Sequence, residues 1–105
     1  MQASEGIMSF PEEKLWDHIN DGWSQMSFRQ RKLWEMIKRL PEEWEVPGYG
    51  LCWVVALMGN KVIFYDHFEE GFARSSWSQY GVVDQYQSGD DLGFAVQTLL
   101  NNIAD

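Results

Sequence analysis

The spacing of hydrophobic positions switches from helical to alternating and back to helical along the chain. Leu15, Trp16, Ile19 and Trp23 recur at helical spacing. Phe10-Pro11-Glu12-Glu13 opens that helix, because proline suits a first turn and glutamates favour the positive end of the helix dipole. Gly22 weakens its far end. Ser27 is placed to cap a second helix running to Leu40, with Pro41 as its stop. The apolar stripe of that helix is Leu33, Met36, Ile37 and Leu40; its other face carries Arg29, Arg31, Lys32, Lys38 and Arg39. Residues 41–50 read as a connector, with Pro47-Gly48 marking a turn.

The strongest local signal follows. Leu51 to Met58 and Lys61 to Phe68 are β-rich runs flanking Gly59-Asn60, which predicts a tight antiparallel hairpin with a two-residue loop. That register sets Leu57 opposite Val62, Val55 opposite Phe64, Trp53 opposite Asp66 and Cys52 opposite His67. Both faces of the hairpin are largely apolar, so it belongs in the middle of a sheet covered on at least one side. Glu69-Glu70-Gly71 reads as a turn. Phe72 to Trp77 and Val82 to Gln87 read as weaker strands split by a loop at Tyr80-Gly81. Ser88-Gly89-Asp90-Asp91 reads as the capped start of a last helix, which uses Leu92, Ala95, Val96, Leu99, Leu100 and Ile103. The expected fold is therefore α+β: two N-terminal helices, an antiparallel sheet of about four strands with a central hairpin, and a C-terminal helix. It forms a single domain over residues 1–105, with 1–9 as a flexible tail.

Composition narrows the function classes. The apolar fraction of 45% and charged fraction of 23% exclude wholesale disorder. The longest apolar run, Leu51 to Met58, is eight residues, far short of the roughly 20 that a spanning helix needs. No apolar signal stretch follows the start methionine. With Cys52 as the single cysteine, no internal disulfide can form, and a cytoplasmic setting is expected. The formal charge is −8. It falls wholly beyond residue 41, where ten acids face only Lys61 and Arg74. Such a half repels phosphate backbones and attracts basic proteins, so a basic protein partner is expected, with neither nucleic acid nor membrane. Six Trp, four Tyr and six Phe are also more aromatic rings than one small core needs. The surplus suits interface anchors.

Chemistry is sparse. Cys52 and His67, opposed in the predicted register, are the nearest thing to a nucleophile and base. Asp66 would point to the other face and could not orient His67, so the thiol reads first as a packing residue. His18, Cys52 and His67 lack metal-ligand spacing. Glu12-Glu13, Glu42-Glu43 and Asp90-Asp91 read as helix starts or turns. Glu69-Glu70 stands out because it follows the hairpin directly. No phosphate-binding glycine loop or nucleophile elbow occurs. No catalytic residue, cofactor or metal is assigned.

The stretch Val62 to Phe72, then Ser75 and Tyr80-Gly81-Val82-Val83-Asp84-Gln85-Tyr86, resembles a group of small acidic uncharacterised bacterial proteins. Their shared pattern is a hydrophobic hairpin, an acidic Glu-Gly-Phe turn, a Gly-Val/Ile-Asp-x-Tyr stretch and a C-terminal helix. Some are similar to immunity partners of bacterial toxins. The resemblance covers residues 50–104 and implies a non-catalytic module that neutralises a basic toxin by occlusion. The expected contact residues are Trp53, Tyr65, Asp66, Glu69, Glu70, Trp77 and Tyr80. Two other readings stand beside it: a small enzyme or ligand-binding domain centred on Cys52 and His67, and a homodimer that pairs an open sheet face.

Overall fold

The computed structural model describes residues 10–104; the expected tail at 1–9 lies outside them. Three helices and four strands follow in the order α1 (Glu12–Ser24), α2 (Phe28–Ile37), β1 (Lys38–Val46), β2 (Gly50–Met58), β3 (Lys61–Asp66), β4 (Gly71–Ser76) and α3 (Leu92–Ala104). The strands form one antiparallel meander in sequence order. This is the expected α+β fold, with some of its parts in different places.

The two N-terminal helices are joined by local chemistry. Ser27 caps α2 through a reciprocal box with Gln30: the Gln30 amide donates to the Ser27 hydroxyl, and the Ser27 amide donates to the Gln30 side chain. Arg31 reaches back and donates to the carbonyls of Trp23 and Ser24 at the C-terminus of α1. Its guanidinium also lies 4.0 Å from the Trp23 ring. A cation there adds a donor to the last carbonyls of α1 and meets the negative end of its dipole. One member of the basic α2 face is thus internal.

The second helix stops at Ile37, three residues short of the expected end. Lys38 is already extended. A residue before proline is driven out of the helical region, so Leu40 cannot continue the helix into Pro41, and the chain enters β1 instead. The presumed connector is therefore an edge strand. In it Trp44 and Val46 are buried while Glu43 and Glu45 are exposed, the period-two pattern of a strand. Pro41 falls in the register shift between Lys38 and Glu42, where a sheet edge tolerates a missing donor. Met36 and Leu40, expected in the α2 stripe, are 80% and 82% exposed.

The Gly59-Asn60 loop forms as expected, and Met58, Leu57 and Ala56 pair with Lys61, Val62 and Ile63. A bulge at Val55 then shifts the register, so Val54 pairs with Phe64 and Trp53 with Tyr65. Beyond it the expected pairings of Val55 with Phe64, Trp53 with Asp66 and Cys52 with His67 are all overturned, because one extra residue sends every later side chain to the other face. Val55 and Ala56 both join the helix-side core with Ile63, Tyr65, Leu15, Leu33, Trp34, Leu92 and Val96. Cys52 and Val54 go to the opposite side with Trp44, Val62, Phe64 and Ala73.

That opposite face is closed by the chain's own residues 77–88. Val83 is fully buried there, with Trp77 and Tyr86 packed beside it. Backbone bonds pin the segment: Val83 donates to the Glu45 carbonyl at 2.9 Å, Glu45 to that of Gly81 at 2.9 Å, and Asp84 to that of Ser76 at 2.9 Å. The expected strand over 82–87 is reduced to isolated bridges, one of them parallel between Val82 and Glu45. Among the described residues both sheet faces are thus covered, one by the helices and one by residues 77–88.

Candidate functional site

The site grows out of the turn between β3 and β4. Asp66 ends β3 with no exposed surface. Its Oδ1 accepts from the amides of Phe68 at 3.0 Å and Glu69 at 3.3 Å. Its Oδ2 accepts from the Tyr86 hydroxyl at 2.6 Å and the Gly89 amide at 3.2 Å. One buried carboxylate therefore shapes the 67–70 turn and ties it to the segment leading into α3. The hydrogen bond to Asp66, and then burial, push the Tyr86 phenol up to about 12.

Backbone contact completes the junction. Phe72 and Asp90 exchange amide-to-carbonyl bonds of 2.6 and 2.9 Å. Gly71 and Gly89 lie so close that a Cβ on Gly89 would stand 2.4 Å from the Gly71 carbonyl carbon. Near the same end of α3, a Cβ on Gly22 would meet the Leu92 Cβ at 2.7 Å. The glycine that weakens the end of α1 in sequence is thus what lets α1 cross α3.

These contacts enclose a cleft of about 520 Å³. Glu69 and Glu70 stand on the β3–β4 turn, Asp90 and Asp91 at the start of α3, and Asp21 on α1; all five are exposed lining residues. No Lys or Arg is among the described lining residues, and His18 is the only other titratable nitrogen there. None of the five forms an ion pair among the described residues. Tyr65 and Phe72 lie deeper, and Phe94 is an exposed ring at the margin.

The seven expected contact residues do not form one surface. Tyr65, Glu69 and Glu70 meet at the cleft. Asp66 is completely buried and organises the turn, so it offers a partner nothing directly. Trp53 lies half-buried on the helix side, donating from its ring nitrogen to the Phe10 carbonyl at 2.6 Å. Trp77 and Tyr80 sit across the sheet: the Trp77 indole donates to the Gly59 carbonyl, and the Tyr80 hydroxyl to Glu42. Both rings pack against Trp44. Sequence reasoning missed His18, Asp21, Asp90, Asp91 and Phe94 as cleft residues. The acid pair at 90–91 was visible, but only as a helix start.

Cys52 and His67 do not form a centre. Cys52 is buried in the Trp44–Phe64 cluster. His67 stacks on Phe10, with ring centroids 6.0 Å apart, and Phe10 packs on Tyr65 at the helix side. Burial, and then the Asp66 charge, push the Cys52 thiol up to about 11, so it is protonated at neutral pH and a poor nucleophile. Iodoacetamide at pH 8 should therefore alkylate Cys52 many-fold more slowly in the native protein than in denaturant. Rapid native labelling, followed by mass spectrometry, would contradict this placement.

Among the described residues, no group of three or more His, Cys, Asp or Glu is arranged to hold a metal ion. No described helix is long and apolar enough to cross a membrane. Comparison with protein-family models, with curated proteins and with solved structures found no match to the chain.

Proposed function

We propose that this protein is a non-catalytic binding module whose acidic cleft engages a basic protein partner, acting as an immunity-type protein that occludes a toxin in the cytoplasm. The observation that carries this reading is five exposed carboxylates, drawn from three separate elements, around one concavity with no described Lys or Arg in its lining. An acidic concavity concentrates field lines and speeds the encounter with a basic surface. Cys52 and His67 pack in different surroundings, which favours this reading over an enzyme centred on that pair.

The test is charge reversal on the exposed turn. A binding protein recovered from the native cell should be basic. Glu69→Lys together with Glu70→Lys should slow its association about tenfold at low salt. The difference should shrink as salt rises past 0.1 M, where screening acts over about 10 Å. Association measured by stopped flow at several salt concentrations decides this. Rates that match those of the unaltered protein throughout would remove the cleft from the binding surface.

A further inference from the structure

The cleft holds one polar atom that the fold leaves unused. Tyr65 is only 1% exposed and lines the cleft, yet among the described residues its hydroxyl has no hydrogen-bond partner. The ring is fixed on three sides: stacked on His18 at 5.1 Å, edge-on to Phe72 at 5.1 Å and against Phe10 at 4.9 Å. A buried hydroxyl without a partner gives up its hydration with nothing in return, and a phenol oxygen can accept as well as donate. Burial, and then the charges of Glu70 and Asp66, push the Tyr65 phenol up, so it stays neutral and keeps its acceptor lone pairs at physiological pH.

Around that atom the charge is negative by number. The first turn of α3 brings the positive end of its dipole to the cleft, worth about half a unit charge, against the five carboxylates. A ligand here must be cationic. It must also span acceptors that lie apart, since these side chains are not gathered closely enough to hold a bare ion. A guanidinium meets both demands: it presents five donors in a planar fork and stacks on aromatic faces. An ammonium is a compact point charge. Phe94, 60% exposed at the cleft margin, offers a face for stacking.

We propose that the cleft takes an arginine side chain of the basic partner, its guanidinium donating to the Tyr65 hydroxyl at the floor and to the Glu70 and Asp91 carboxylates at the rims. The assignment rests on the partner reading above and names the group that reading leaves open.

The probe is N-acetyl-arginine amide, titrated into the isotopically labelled protein and followed by amide NMR shifts, with N-acetyl-lysine amide as comparison. Saturable shifts are expected at Gly71 and at residues 89–94, with arginine bound at least threefold more tightly than lysine. Tyr65→Phe should weaken arginine about fivefold while thermal stability holds or rises, because the hydroxyl removed had no partner among the described residues. Phe94→Ala, at an exposed position, should weaken it by a smaller factor. Non-saturating shifts, equal affinity for both probes, or unchanged affinity in Tyr65→Phe would each overturn the assignment. If the arginine probe fails while Glu69 and Glu70 reversal still slows the partner, this assignment alone is wrong. If reversal has no effect, the partner reading falls as well.

Discussion

Asp66→Ala should be among the most destabilising single substitutions in the molecule, lowering the unfolding free energy by about 4 kcal/mol. The carboxylate accepts from three amides and one phenol at a site with no exposed surface. Hydrogen bonds to a charged group contribute about 1.5–3 kcal/mol each, and a buried donor left unpaired costs about 1–3 kcal/mol. Asp66→Asn should cost less, about 2–3 kcal/mol, since one carbonyl oxygen remains while its amide group must face a donor. Urea unfolding measures both. Tyr86→Phe in the Asp66→Ala background should cost little more than Asp66→Ala alone, because the two share one interaction; full additivity would contradict the account. A pH series gives a second reading. The native Tyr86 phenol lies near 12, whereas an unfolded tyrosine ionises at about 10. Between those values the native state holds the proton that the unfolded state has lost. Its stabilisation is therefore complete below about pH 10 and lost as pH rises through the native value. Cys52, at about 11, acts with the same sign from about pH 8.5, where an unfolded thiol ionises. Tyr86→Phe should flatten the upper part of this decline and leave the Cys52 part in place.

The legible parts of this fold were those fixed by local chemistry. Ser27 identified the start of α2, and Gly59-Asn60 identified the hairpin loop, because a cap and a tight turn need only neighbours to form. What depended on distant pairing was hidden. The Val55 bulge leaves no mark in Val54-Val55-Ala56, all of them at home in a strand. It moved Cys52 to the other face, away from its expected place opposite His67. In Trp44-Glu45-Val46 the alternation that builds β1 was present, but the prolines at 41 and 47 argued for a connector. Within the cover over the second sheet face, Val82 to Gln87 reads as a strand by composition. It became an irregular lid because single bridges at Glu45 and Gln79 hold it in place of a full ladder. The cleft was half visible for a similar reason. Glu69 and Glu70 drew notice as adjacent acids, whereas Asp21 and Asp90-Asp91 reach them only through the β4–α3 junction and the α1–α3 crossing.

Gly89→Ala provides the sharper test of that junction, and it should cost about 3 kcal/mol or more. A Cβ there would lie 2.4 Å from the Gly71 carbonyl carbon, 2.6 Å from its oxygen and 2.8 Å from its Cα. All three are backbone atoms, so no rotamer change can make room, and the strand and the segment before α3 must separate. Overpacking of this kind typically costs about 1–3 kcal/mol. Separation would also lengthen the reciprocal Phe72–Asp90 bonds, each worth about 1 kcal/mol net, and would draw the Gly89 amide away from Asp66. Gly48→Ala is the matched control. It lies in the β1–β2 turn at φ +83 with nothing within 4 Å of the added carbon, so it carries only the left-handed backbone penalty of about 1–2 kcal/mol. The contrast extends to the cleft. Moving β4 away from the start of α3 would spread Glu70 from Asp91, so Gly89→Ala should weaken the arginine probe even where the protein stays folded. Gly48→Ala should leave that affinity unchanged. Equal stability losses in the two variants would mean that the Gly71–Gly89 contact relaxes freely and does not set the width of the cleft.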